Sequence, residues 1–323
     1  MQFAIKENKE VMSDFAACAL NGLAHPEQKN LPSRFLYDEI GSSLFEVITV
    51  LPEYGVTRAE ERLLRDHSPE IIGRLPDVTL VAELGSGSGR KTRHLLNALT
   101  HERPVVYCPI DISPTALLSC KSELCDIPSL NIVSFEDDFI DGLQRVVDGR
   151  TNDVPILVLF LGSTLGNFSR IAAVRFLSSI RSKLQRGDAL LLGLDLIKPI
   201  PQLIQAYCDP IGVTAAFNLN LLARINRELN ADFDVSLFKH VAKFNREAQS
   251  VEMHIESVCD QTVLIRDLDF RLEMKRGETI WTESSHKYAA DELVVMGNSS
   301  GFSFDAQWID AQWPFSETLF IAR

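Results

Sequence analysis

Apolar and polar positions recur with two different periods along this chain, and the change of period divides it. From Thr79 to about Ile197, apolar runs rich in β-branched residues, near 79 to 84, 105 to 111, 131 to 136, 155 to 162 and 189 to 196, predict buried strands. Between them Thr92 to Thr100, Pro114 to Leu124, Phe139 to Val147 and Ala172 to Leu184 carry apolar residues at helical spacing. Alternation of this kind predicts a parallel sheet covered by helices on both faces, with ligands at the carboxyl ends of the strands.

Past Lys198 the pattern changes. A helical stretch from Val213 to Leu229 is followed by polar-apolar alternation through Val251 to Val258, Val263 to Met274 and Glu278 to Tyr288, which predicts an antiparallel sheet in a second, smaller lobe. A helix from Ala290 to Met296 and strands near Phe302 to Trp308 and Glu317 to Ala322 follow. Those last two strands predict a hairpin that rejoins the parallel sheet. The segment before Thr57 is left to cap the cleft or join the smaller lobe.

The glycine-rich run Glu83-Leu84-Gly85-Ser86-Gly87-Ser88-Gly89 joins the first strand of the parallel unit to a helix starting near Arg90. Glycines there permit positive φ and close approach of a ligand to backbone N–H groups. A dinucleotide fingerprint needs a further glycine three residues after the second, and that position is Arg90. With Glu83 preceding it, the turn suits a cofactor without a pyrophosphate, and S-adenosylmethionine is the common one; a glycine turn that binds nothing is the plain alternative.

Three further constellations lie at strand ends. Asp111 closes the second strand, where one carboxylate can accept from both ribose hydroxyls of an adenosine, or else cap the helix opening at Ser113-Pro114. Asp137-Asp138-Phe139 follows the third strand and suits an adenine site, or equally a helix start. After the fourth strand, Gly162 to Asn167 ends in an amide that both donates and accepts, so Asn167 suits the amino and carboxylate ends of an amino acid, or a left-handed turn. In the smaller lobe Glu283 and Ser285 are two apart and share a strand face with Trp281 in line. An acceptor beside a hydroxyl can read a ring bearing two nitrogens; a solvent-facing strand is the plain alternative.

Bulk properties narrow the class. At 323 residues, 46% hydrophobic and 24% charged, the composition is that of a globular protein with a substantial core. Thirty-two basic against 44 acidic residues give a formal charge of −12, which disfavours nucleic acid and anionic lipid and favours a small substrate. Six scattered cysteines read as reduced thiols, and the seven histidines form no metal-ligand pattern, so no metal site is predicted. Met1 to Glu7 is too polar for a secretory segment and the apolar runs near Leu157 and Leu190 are too short for a bilayer, so a cytoplasmic protein is expected.

Taken together, Leu31-Pro32, Phe35-Leu36-Tyr37-Asp38, Gly41-Ser42, Leu44-Phe45, Leu51-Pro52-Glu53-Tyr54, Thr57-Arg58, Glu83 to Gly87, Phe160 to Thr164, Gly166-Asn167, Gly212 to Asn218 and Thr282-Glu283 form a string of separated motifs. With them the chain resembles, from about residue 31 to its end, the histidine-specific methyltransferases of ergothioneine biosynthesis. The resemblance implies an α/β fold: a class I methyltransferase Rossmann-like sheet with a second, smaller α+β substrate-binding lobe. It places the methyltransferase domain at 60–196 and 287–323 and a discontinuous substrate domain at 1–59 and 197–286.

Trimethylation of the α-amino group of L-histidine to the betaine hercynine, with S-adenosylmethionine as donor, is the activity this implies. Tyr37, Gly162 and Asn167 would surround the amino group, with Tyr37 and Asn167 acting catalytically, while Asn167 and Tyr207 hold the carboxylate. Glu283 and Ser285 would bind the imidazole, with Tyr54 assisting and Met253 shaping the ring pocket. Gly85, Ser86, Gly87, Lys91, Asp111, Asp138 and Phe139 would contact the cofactor. Two departures stand beside these positions: Gly55 where a second tyrosine is frequent, and Ser284 where a small apolar residue is. A monomer acting on free L-histidine is expected. The rivals are methylation of another amino acid, such as a tryptophan derivative, and an inactive S-adenosylmethionine-binding module.

Overall fold

The computed structural model describes residues 13–151 and 154–323; Met1 to Glu7, and with it residues 1–12 of the expected substrate domain, lies outside the described residues. In chain order the elements are α1 Asp14–Leu23, β1 Lys29–Asn30, α2 Glu39–Thr49, α3 Gly55–Gly73, β2 Leu80–Leu84, α4 Thr92–Glu102, β3 Val105–Asp111 and α5 Pro114–Leu124. They continue with β4 Leu130–Ile132, β5 Phe135–Glu136, α6 Phe139–Asp148, β6 Ile156–Phe160, α7 Arg170–Lys183, β7 Ala189–Asp195, α8 Ile200–Ala206 and α9 Val213–Glu228. The chain closes with β8 Phe238–Asn245, β9 Ser250–Ser257, β10 Gln261–Ile265, β11 Phe270–Met274, β12 Thr279–His286, α10 Ala290–Ser299, β13 Phe302–Ile309 and β14 Phe315–Ala322.

The large sheet has the order β13-β14-β7-β6-β2-β3-β4, with β5 also on β3. Its central members β2, β3, β6 and β7 run parallel, and β14 enters antiparallel beside β7. This is the class I methyltransferase arrangement. β6 and β7 are buried throughout because helices cover both faces, which is why Ile156–Phe160 and Ala189–Asp195 read as nearly unbroken apolar runs. From β2 the chain builds outward through β3 and β4, then returns to β6 on the other flank of β2. The loops after β2 and β6 therefore flank the point where strand order reverses, the place where such sheets bind ligands.

A second sheet has the order β1-β12-β9-β8. β1 pairs parallel with β12, Lys29 opposite Ile280, so part of the segment before Thr57 joins this sheet. α2 packs on α9 beside it.

The structure departs from the expectations at specific points. The stretch Val263 to Met274 is not one strand of the second sheet. Its alternation breaks at Asp269, a left-handed residue with φ of 45°, and it folds into a separate β10-β11 hairpin. Besides β12, the sheet partner of β9 is β8, Phe238–Asn245, whose mostly half-buried residues carry no clean period. The expected strand 131 to 136 is two short pieces, β4 and β5, and the helix expected near Arg90 begins at Thr92. Among the described residues, no helix is long and apolar enough to cross a membrane.

Candidate functional site

At the end of β2 the chain turns through Gly85, Gly87 and Gly89 with φ of 75°, 51° and 70°. A Cβ on Gly85 would lie 3.3 Å from the Phe139 ring, and one on Gly89 would lie 2.7 Å from Cys120 Sγ. Phe139 thus packs directly over the turn, and α5 against its far end. Glu83 is turned inward: Thr92 Oγ1 donates to it at 2.8 Å and the Tyr107 hydroxyl donates to its other oxygen. Burial raises the Glu83 carboxyl to about 7. It ties the start of α4 to β3 and, at 2% exposed, is turned into the core away from a ligand.

That task suits Asp111. The Gly87 N–H donates to Oδ2 at 3.2 Å and the Ser113 N–H to Oδ1 at 2.9 Å, which leaves a lone pair on each oxygen for vicinal hydroxyls. The cap of α5 is Ser113, whose Oγ accepts from Ala116 N. Asp138 is different. Its Oδ1 caps α6 by accepting from Ile140 N at 2.9 Å and Asp141 N at 3.0 Å, and the residue is exposed. The structure brings Gly85, Ser86, Gly87, Asp111 and Phe139 to one turn, with Asp138 beside Phe139 at the start of α6 and both of its accepted bonds on Oδ1.

After β6, Gly162 and Ser163 are successive left-handed residues, φ 75° and 60°. Such strain in a non-glycine residue persists only where neighbours enforce it. Here Ser163 Oγ accepts from Asp195 N at 3.0 Å, and the Gly162 N–H donates to Glu60 Oε1 at 2.5 Å. Glu60 is fully buried on α3, and its other oxygen pairs with the Lys91 ammonium. Lys91 therefore lies under the Gly162 turn, bound to Glu60. Glu317 of β14 completes this cluster. Burial first, then the Glu60 charge, raises its carboxyl well above the ordinary range. Asn167 ends the turn Thr164–Asn167 half-buried with negative φ, which removes the left-handed reading. The turn is fastened to β12, since Gly166 O is 2.9 Å from His286 Nδ1.

Facing this loop, β12 carries a bulge. Trp281 pairs with His254 but Glu283 pairs with Met253, so Thr282 is the extra residue and the alternation reverses across it. Trp281 is consequently not in line with Glu283 and Ser285. It stacks on His254 on the opposite, solvent face. The displaced Thr282 is buried, its one hydroxyl proton facing two acceptors, Asn218 Oδ1 at 2.6 Å and Met253 O at 3.0 Å. Asn218 also donates to His254 O and meets His240 Nδ1, while His240 Nε2 meets Tyr207 O at 2.7 Å. This chain of bonds ties α9, β8, β9 and β12 to the backbone of Tyr207.

Tyr37, Phe45, Tyr54, Tyr207 and Phe217 form a continuous aromatic wall with neighbouring ring centroids 5.4–6.3 Å apart. Burial, aided by Glu283, Asp195 and one another, holds the phenols of Tyr37, Tyr54 and Tyr207 well above the usual range, so all three remain protonated. Tyr207 donates to Ser285 Oγ at 2.7 Å. Glu283 Oε2 is enclosed and has no hydrogen-bond partner among the described residues. An unpaired buried carboxylate is costly, and a ligand N–H relieves it.

Burial raises the Glu283 carboxyl to about 7 from 4.5, with the Lys287 ammonium pulling the other way. A raised carboxyl means the folded state holds its proton more tightly. Its contribution to stability is full below about pH 4.5 and is lost as pH rises through about 7. Ligand-free Glu283→Gln is therefore expected to exceed the parent in stability by up to about 3 kcal/mol near pH 8 and to match it near pH 4.5. Thermal melts at the two pH values check this; an equal gap at both would reject it.

Sequence reasoning did not single out Glu60, Glu317, Asp195, Lys198, Lys287, Trp313 or His240. Most had a visible signal, a charge placed inside or at the end of a buried apolar run, as with Asp195 after Leu190 to Leu194 and Glu317 within Phe315–Ala322.

A family described as histidine-specific, SAM-dependent methyltransferases matches residues 15–322. The histidine N-alpha-methyltransferase of Mycolicibacterium smegmatis is 40% identical over 294 residues, 90% of each chain. That of Mycobacterium tuberculosis is 38% identical over 293 residues, again 90% of each chain. Ergothioneine biosynthesis protein 1 of Schizosaccharomyces pombe is 30% identical over 272 residues, 81% of this chain and 35% of that longer one. With a match that runs nearly end to end, the chain belongs to the family of histidine-specific methyltransferases that depend on S-adenosylmethionine.

Proposed function

We propose that this protein trimethylates the α-amino group of L-histidine to hercynine, the first step of ergothioneine biosynthesis. The observation that carries this is the unpartnered Glu283 carboxylate two residues from the Ser285 hydroxyl, beside the wall of Tyr37, Tyr54 and Tyr207. Family membership and the names of the relatives support it. The proposed division follows the expected boundaries, 60–196 and 287–323 for the cofactor and the remainder for the substrate, and the protein is proposed to work as a cytoplasmic monomer.

The residues present fit an adenosine-bearing sulfonium. Asp111 keeps two acceptor positions for ribose hydroxyls, Phe139 covers Gly85, and Gly87 leaves open space at its Cβ position. When bound, S-adenosylmethionine supplies an electrophilic methyl group on a cationic sulfur.

Histidine enters as an ammonium, and each transfer needs a free lone pair on nitrogen, so conversion to a quaternary amine releases three protons per histidine, two from later rounds and one at the start. Gly162 O, Asn167 Oδ1 and the Tyr37 oxygen are acceptors proposed to hold the N–H bonds and so direct the lone pair. The protonated phenol of Tyr37 is not a base of the right strength. Protons are proposed to leave to water, with orientation supplying the rate gain. Tyr207 and Asn167 are proposed to hold the carboxylate, Glu283 and Ser285 the imidazole, with Tyr54 and Met253 shaping the space around the ring. The faces of Tyr37 and Phe45 suit the cation that develops as methyl groups accumulate.

Incubating the protein with L-histidine and S-adenosylmethionine and following mass is the direct test. Mono-, di- and trimethylated histidine are expected in succession; cofactor binding without any methylated product would favour an inactive binding module, and preferred methylation of tryptophan in a substrate panel would favour the rival amino acid.

A further inference from the structure

A buried carboxylate underlies the turn after β6. Glu60, on α3 and fully buried, accepts the Gly162 N–H on Oε1 at 2.5 Å and pairs through Oε2 with the Lys91 ammonium. Room for it is made by a glycine: a Cβ on Gly193 of β7 would overlap Glu60 Oε1. Lys91 Nζ in turn lies 3.6 Å from where a Cβ on Gly162 would be, so carboxylate and ammonium together support the turn. A charged acceptor anchors an N–H more firmly than a neutral one.

The next peptide is fixed as well, since the Ser163 N–H donates to Gly193 O at 3.2 Å. In a trans peptide the carbonyl points opposite to the N–H, so the Gly162 C=O, which shares that peptide, is directed away from β7. Among the described residues no backbone N–H donates to it. This carbonyl is one of the acceptors proposed for the substrate amine. In each round the amine lone pair forms a C–N bond as the methyl–sulfur bond breaks, sulfur keeps the bonding pair, and one proton leaves to water. The neutral amine has two N–H bonds before the first transfer, one before the second and none before the third. An acceptor that aims the lone pair by holding N–H bonds therefore acts in the first two rounds and has nothing to hold in the last.

We propose that Glu60, held by Lys91, is a positioning residue that fixes the Gly162 turn, so that the Gly162 carbonyl orients the substrate amine in the first and second methyl transfers and not in the third. This rests on the reading of Gly162 O as a partner of the amino group.

Single-turnover rates at saturating S-adenosylmethionine on L-histidine, Nα-methyl-L-histidine and Nα,Nα-dimethyl-L-histidine test it. In Glu60→Gln the side chain keeps its size but has one oxygen for two donors, and its NH2 group opposes either the Gly162 N–H or the Lys91 ammonium. The first and second transfers are expected to slow about 10-fold, with Asn167 and Tyr37 remaining as acceptors, while the third stays within about twofold of the wild type. Glu60→Ala is expected to widen the same gap between substrates, and if that variant does not fold, Glu60→Gln, which leaves no cavity, decides. A weakened cofactor site or a general loss of packing slows all three transfers alike. Equal losses on the three substrates, a greater loss on the dimethylated one, or no loss on L-histidine would overturn the proposal. A wild-type protein that transfers no methyl group to L-histidine removes the functional reading itself.

Discussion

Glu283→Ala is expected to lower kcat/KM for L-histidine about 100-fold, with KM for S-adenosylmethionine within about twofold, because it removes a charged acceptor from a substrate N–H and nothing from the glycine turn. The physical asymmetry is that one oxygen of the carboxylate is enclosed and has no partner among the described residues. An indole carries its one N–H on a larger bicyclic ring, and where that N–H does not reach the enclosed oxygen the carboxylate is left desolvated and unpaired, which penalises tryptophan-like side chains as well as favouring histidine. Alanine relieves the penalty. The ratio of turnover on histidine to turnover on tryptophan is therefore expected to fall by more than the loss on histidine alone, and a substrate panel on wild type and variant measures it. An unchanged ratio would remove Glu283 from selectivity.

Asp111→Ala is expected to raise KM for S-adenosylmethionine about 100-fold while kcat at saturating cofactor changes much less, since hydroxyl contacts remote from the reacting atoms contribute binding in ground and transition state alike. Asp111 also accepts from Gly87 N and Ser113 N, so alanine loosens the turn as well. Asp111→Asn separates the two contributions. Its single carbonyl replaces one acceptor and its NH2 opposes a backbone N–H, so a rise of about 10-fold is expected. Calorimetric titration with S-adenosylhomocysteine checks both variants, and a matching rise in KM for histidine would mean that the fold of the site, and not the hydroxyl contacts, had been lost.

Much of the large sheet was legible because its strands are buried on both faces and its helices are amphipathic, so period and length separate them. Pro114–Leu124 was read to the residue, helped by Ser113 as cap and Pro114 at the first helical position. The second sheet was less legible. The half-buried β8 has no regular alternation, and the bulge at Thr282 reverses the period inside β12, so Trp281 was placed on the wrong face. The position of Asp111 at the end of β3 was legible because the period of the buried strand marks where it stops. Which oxygens are engaged was not legible: Asp111 and Asp138 both follow strands and precede helices, yet Asp111 accepts one backbone N–H on each oxygen while Asp138 accepts two on Oδ1 as the cap of α6.

By itself the amino-acid sequence determined the parallel sheet, the glycine turn at its first loop and the family, because local period, backbone freedom and a string of separated motifs are properties of the chain alone. Only the tertiary structure decided that Glu60, Lys91 and Glu317 cluster beneath Gly162, and that Asp195 and Lys287 stand behind Tyr207 and Ser285. Glu60 lies 31 positions from Lys91 and Tyr207 lies 78 from Ser285, and the protonation and bonding of such groups follow from burial and from which neighbour fills each lone pair, quantities that exist only once distant segments are packed together.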